Sequence, residues 1–173
     1  MPGRPPHILA AAILAGALFL PLAASAEVAS VIPACPLLTP DEVGAAFGIP
    51  LRSAEQEPSG GGEGEGRMTT CLWTPADGEP GATLSLVVWS WPPGDGGAAG
   101  FLETLRILAG EESDRPPTET LAIGDDALWD GDRVYLRKGG TSVTLATSLN
   151  ALDATPDAKA KLEGLAAIVA ERL

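Results

Sequence analysis

From Met68 to Thr74 successive side chains alternate in character, sending Cys71 and Trp73 to one side and Leu72 to the other, the period of a half-buried strand. Thr83 to Trp91 is the longest β-prone run, with Leu84, Leu86 and Val88 on one side and Ser85, Val87, Trp89 and Trp91 on the other. The first of these sides reads as core. Asp77-Gly78 between the two runs predicts a hairpin turn, and Pro92-Pro93-Gly94 breaks the second run. Helical spacing takes over next: Ala98, Phe101, Leu102, Leu105 and Leu108 form one stripe of a helix over about residues 98–109, with Gly110 as its cap. A polar linker, 111–117, leads to three strands within residues 121–149, joined at Asp130-Gly131 and Gly139-Gly140, dipeptides that accept positive φ. Register supplies an internal test. If Lys138 faces Thr141, then Leu136 meets Val143 and Val134 meets Leu145 on one side, while Tyr135 meets Thr144 and Arg137 meets Ser142 on the other.

Helix signals bracket this pattern. Leu38-Thr39-Pro40-Asp41-Glu42-Val43 has Thr39 as N-cap, Pro40 at the first helical position, Glu42 completing a capping box and Leu38 stapled to Val43. Val43, Ala46 and Phe47 give that helix its apolar side, and Gly48 ends it. Thr155-Pro156-Asp157 opens a terminal helix striped by Leu162, Leu165, Ala166, Val169 and Leu173. Ile49 to Ser53 reads as an edge strand. The stretch at about 55–66, with five glycines, a proline and four glutamates, reads as a flexible acidic loop. The expected class is α+β: an antiparallel sheet of about five or six strands packed by helices, with a helix-plus-three-strand unit occurring twice.

The chain's first 26 residues stand apart. Arg4 precedes an apolar run from Ile8 to Leu20, followed by Pro21 and Ala24-Ser25-Ala26, the pattern of a signal peptide cut after Ala26. As a helix the run would reach only about 20 Å, short of a hydrocarbon layer of about 30 Å, so a retained anchor is the weaker alternative. The expected organisation is a signal peptide at 1–26 and one domain at 27–173, secreted or periplasmic, with no stable membrane span after processing. Cys35 lies too far beyond the apolar run to be a lipidated residue. In an oxidising compartment Cys35 and Cys71, the only cysteines, should bond to each other. Their separation of 36 positions does not suit a C-x-x-C redox pair.

Without the leader, ten Lys and Arg stand against 23 Asp and Glu, a formal charge of −13, and the one histidine, His7, is gone. A Ser-His-Asp triad, a Cys-His pair and a His-ligated zinc are thereby excluded. The charge disfavours nucleic acid and anionic lipid as partners. Gly61-Gly62-Glu63-Gly64-Glu65-Gly66-Arg67-Met68 imitates a phosphate loop but lacks its Lys-Ser/Thr, and its glutamates would repel an anion. Asp125, Asp126, Asp130 and Asp132 are the metal candidates, for a hard cation such as calcium. An EF-hand register from Asp126 fails, with Leu128 at the third position and Arg137 at the twelfth, and turn chemistry accounts for aspartates there. No cofactor motif is present. Trp73, Trp89 and Trp91 share strand parity and are the candidate ligand-binding residues, a stacking platform for sugar rings; the competing reading places them in the core.

Taken in order, Cys35-Pro36-Leu37-Leu38-Thr39-Pro40-Asp41-Glu42-Val43 with Phe47-Gly48, then Cys71-Leu72-Trp73, then Ile123-Gly124-Asp125-Asp126-Ala127 and Leu136-Arg137-Lys138-Gly139 make a specific series. It resembles uncharacterised exported domains common in actinobacterial lipoproteins, across essentially all of the chain after the leader. Ala122 stands where that family often has glycine, and the lipidation cysteine is missing. The resemblance implies a compact α+β fold with no established activity and no catalytic residues. The expected function is a non-enzymatic binding or interaction module of the cell envelope, with an envelope protein or glycan as partner. A carboxylate-dependent enzyme acting on envelope glycans is the alternative, although no sequence spacing identifies its carboxylates.

Overall fold

The first helix, α1 (Pro40–Phe47), begins where its capping signals place it. The Glu42 N–H donates to Thr39 Oγ1 at 3.2 Å and the Thr39 N–H to Glu42 Oε2 at 2.8 Å, so both halves of the capping box are made. Gly48, at φ +70°, ends it in the left-handed region that glycine enters without strain. The structure, a computed structural model, describes residues 30–52, 55–59, 66–76, 84–94, 96–111, 118–147 and 157–173. The expected leader, Asp77-Gly78, Thr155-Pro156 and residues 60–65 lie outside the described residues.

After α1 come β1 (Glu55–Ser59), β2 (Arg67–Trp73), β3 (Leu84–Ser90), α2 (Gly97–Glu111), β4 (Glu119–Leu121), β5 (Asp126–Trp129), β6 (Arg133–Lys138), β7 (Thr141–Thr147) and α3 (Ala158–Arg172). The strands form one sheet in the order β1-β2-β3-β7-β6-β5-β4, and each neighbouring pair is antiparallel. The fold is α+β. Two meanders, one of three strands led by α1 and one of four led by α2, meet along the β3–β7 seam. The sheet thus has seven strands, more than the five or six expected, and the second unit gains the three-residue β4.

Part of the stretch read as acidic loop is strand β1, paired with β2 from Glu55↔Leu72 to Ser59↔Met68. Its edge position explains this, since an edge strand needs hydrogen bonds to one neighbour only and tolerates Pro58. The expected edge at Ile49 to Ser53 is present as a bridge, Leu51↔Pro75, with the Arg52 N–H donating to Thr74 O at 2.9 Å. The β6–β7 register is the expected one throughout, Lys138↔Thr141 to Val134↔Leu145. The preceding turn falls one residue later than expected: the Asp130 N–H donates to Arg133 O, leaving Gly131 (φ +110°) and Asp132 at the tip. Helix α2 runs through Gly110 to Glu111, because an interior glycine costs a helix only about 1 kcal/mol.

One side of the sheet carries the main core. Trp73, Leu86, Val88, Leu136, Val143 and Leu145 are buried there against Leu38, Val43 of α1 and Leu162, Leu165 and Val169 of α3. A disulfide joins Cys35 to Cys71 of β2, with Cα atoms 5.0 Å apart. It fastens the segment ahead of α1 as a strap across the sheet: the Ile32 carbonyl accepts from the Thr69 hydroxyl at 2.7 Å and the Ile32 N–H donates to Ser90 Oγ at 3.3 Å. On the other side a smaller cluster forms under α2, where Leu102 meets Leu128 and Tyr135, flanked by Phe101 and Leu105.

Helix α3 is tied to α1 and the turn before it by Arg172, which donates from Nη1 to Leu37 O and to Glu42 Oε2, each at 2.9 Å. Hydrogen bonding from Arg172, then from the Thr39 N–H, lowers the Glu42 pKa from 4.5 to about 2. A carboxyl depressed in the folded state contributes stability that is complete above its unfolded pKa and is lost as the pH falls towards the folded one. Acid titration of unfolding is therefore expected to show a loss between about pH 4.5 and 2 that Glu42→Gln flattens. Equal acid slopes in wild type and variant would show that Arg172 does not hold this group.

Candidate functional site

The helices cover the sheet unequally. The strap, α1 and α3 close the core side, whereas α2 on the opposite side lies over β6 and β7. The side chains of β2 and β3 that point to the α2 side are Met68, Thr70, Leu72, Ser85, Val87 and Trp89, and all are half-buried. Trp89 stacks on Trp91, ring centroids 5.7 Å apart and planes 20° from parallel.

Trp91 is held from several directions. Its indole Nε1–H donates to Ser142 Oγ at 2.9 Å, and its backbone N–H donates to Gly140 O at 3.0 Å. Bare glycines make room for the ring: a Cβ on Gly97, at the start of α2, would run into it, and one on Gly66 would stand 2.9 Å away. Trp89 lies between Met68 and Ser142 in the ladder, with Val87 two positions back and Thr70 and Thr144 beside Val87.

Trp73 does not belong to this platform. It opposes Leu84 and is fully buried on the core side, whereas Trp89 opposes Met68 on the other. Shared parity in sequence does not mean a shared side, because the register across the intervening connection decides which residues align. The support that Ser142, Gly66 and Gly97 give to Trp91 has no signal in the sequence. Ser142 becomes visible as a neighbour of Trp89 only once β7 is known to lie beside β3, and that adjacency has no local signal.

The aspartates proposed as metal ligands have separate partners. Asp125 Oδ2 accepts from the Gly139 N–H at 2.7 Å and pairs with Arg137 Nη1 at 3.4 Å. Asp126 Oδ1 pairs with Arg106 Nη2 at 2.6 Å, tying α2 to β5. Asp132 lies 3.6 Å from Arg133. Asp130 accepts from the N–H groups of Asp132 and Arg133 on Oδ1 and from the Tyr135 hydroxyl on Oδ2, the last at 2.9 Å. Burial works to raise the Asp130 pKa, but hydrogen bonds from Asp132, Tyr135 and Arg133 outweigh it and hold the carboxyl below its usual range. Burial and this ionised neighbour push Tyr135 up to about 12, so the phenol stays protonated at neutral pH and acts as a donor, not a nucleophile. Among the described residues no three Asp, Glu, Cys or His side chains gather as a metal site.

The Ile123-Gly124-Asp125 and Arg137-Lys138-Gly139 segments form one clasp. The Asp125 N–H donates to Arg137 O at 2.9 Å, and Gly124, at φ +63°, brings its Cα so close that a Cβ would lie 2.6 Å from the same oxygen. Gly124→Ala is expected to cost about 1–3 kcal/mol through strain and overlap. Gly140→Ala, with its nearest atom 3.6 Å from the added carbon, should cost little in the same urea titration. Equal losses at the two positions would remove the steric explanation.

A concavity of about 520 Å³ runs between α1 and α3, walled by Ala45, Ala46, Ala160, Gly164 and Ile168. Among the described residues no helix is long and apolar enough to cross a membrane. Comparison of the chain with protein-family models, with curated proteins and with solved structures found no match.

Proposed function

We propose that this protein is an exported, non-enzymatic binding module of the cell envelope, and that its ligand-facing surface is the part of the sheet beside α2 that carries Trp89. The observation that carries this reading is the Trp89–Trp91 stack: a half-buried indole, braced, on the side of the sheet where α2 packs chiefly over β6 and β7. Large aromatics in a chain with few of them are otherwise spent inside, as Trp73 is. The Cys35–Cys71 bond and the leader-like first 26 residues support export. So does the resemblance to exported actinobacterial domains. Asp126 and Asp130, two carboxylates on the α2 side of the sheet, are engaged by Arg106 and by Tyr135, which favours binding over a carboxylate-dependent reaction on glycans that would use them.

The test is expression with the native leader in a bacterium, followed by intact mass and thiol alkylation of the purified product. The expected product starts at Glu27, takes up alkylating reagent only after reduction, and retains an envelope component when immobilised. An unprocessed chain with two reactive thiols, or a mature domain that retains nothing from envelope extract, overturns the proposal.

A further inference from the structure

We infer that the surface takes the flat face of an uncharged sugar ring, with the Trp89 indole as platform and Trp91 as its fixed brace. This rests on the binding reading above and deepens it by naming the ligand class.

Preorganisation is the first support. A ring that is mobile in the free protein loses rotamer freedom when a ligand lands on it, which weakens binding. Trp91 has that freedom removed in advance by Ser142, Gly66 and Gly97, and Trp89 is laid against it at 5.7 Å. The stack presents one rigid π-face at the side of α2.

The second support is the chemistry around that face. Met68, Thr70, Val87, Ser142 and Thr144 are its neighbours across the ladder, and none is charged; Glu57, opposite Thr70, and Arg137, opposite Ser142, stand one strand further out. An uncharged ligand set against these immediate neighbours displaces water from no ion. The half-buried Thr70 and Thr144 hydroxyls have no hydrogen-bond partner among the described residues. Each can donate and accept. A pyranose ring has complementary parts: a face of C–H groups for the indole, and a rim of hydroxyls that both donate and accept for the threonines. A purely aliphatic chain would use the indole and leave both hydroxyls unpaired. Mostly apolar surface with a few placed polar groups is the usual make-up of a small-ligand site.

The experiment is calorimetric titration of the mature, oxidised protein with two neutral probes, tetra-N-acetylchitotetraose and maltotetraose. At least one is expected to bind at a single site. Trp89→Ala should weaken it about tenfold or more, Trp89→Phe less, and Thr144→Val by about threefold, with thermal midpoints of the variants close to wild type. No heat from either probe at about 10 mM, or binding that Trp89→Ala leaves unchanged, overturns the inference. Retention of an envelope protein, unaffected by either probe, would leave the binding reading standing while this inference fails. Retention of nothing would end both.

Discussion

Replacing Cys35 by Ser is expected to lower the free energy of unfolding by about 3.8 kcal/mol, the loop-closure value for a bond spanning 36 positions. The bond restrains the unfolded chain more than it adds contacts to the folded one. Cys71→Ser should cost at least as much. Its position is fully buried beneath the strap, so a hydroxyl there also needs a partner. Because both substitutions delete one bond, the double variant should lose little more than Cys71→Ser alone, in equilibrium urea unfolding. Additive losses would mean that the two sulfurs contribute separately and that the bond is not the common cause. Early proteolysis in the strap should accompany the loss, since its remaining ties include the hydrogen bonds of Ile32 to Thr69 and Ser90.

Trp73→Ala is expected to cost about 3–5 kcal/mol, the range for emptying a large buried aromatic site. Trp73→Phe should cost less than half of that. The Trp73 Nε1–H is buried with no hydrogen-bond partner among the described residues. Such an orphan costs about 1–3 kcal/mol, so removing it offsets part of the lost packing. Chemical denaturation of the two variants decides the point. If Phe loses as much as Ala, the indole N–H is not a cost and the whole effect belongs to volume.

Where information is local, the chain was readable. Thr39 and Glu42 announced the capping box, and Gly139-Gly140 with strict alternation on both sides defined the β6–β7 register residue by residue. The disulfide followed from there being two cysteines. What escaped depends on partners far along the chain. The position of β7 beside β3 has no local signature, so the order of the sheet and the role of Ser142 under Trp91 were invisible. Trp73 was grouped with Trp89 because parity was counted through a connection whose register was unknown. The acidic composition of β1 reads as loop, and composition does not report that an edge strand needs hydrogen bonds to one neighbour only. Within the candidate site, Trp89 and Trp91 were legible as residues, whereas the glycines that admit the Trp91 ring are legible only as space.

The central seam also dictates an order of events. β3 is made early, yet its second ladder partner, β7, is the last strand among the described residues: Ser90 waits for Thr141 and Leu84 for Thr147. Until β7 arrives, a run containing Leu84, Leu86 and Val88 shows a row of unsatisfied amides and carbonyls to whatever is near, the circumstance in which chains stick to their copies. A polypeptide emerging slowly, or cut short ahead of Thr141, would hold that exposed edge indefinitely, so the burden of keeping this protein unaggregated falls on whatever escorts the nascent chain.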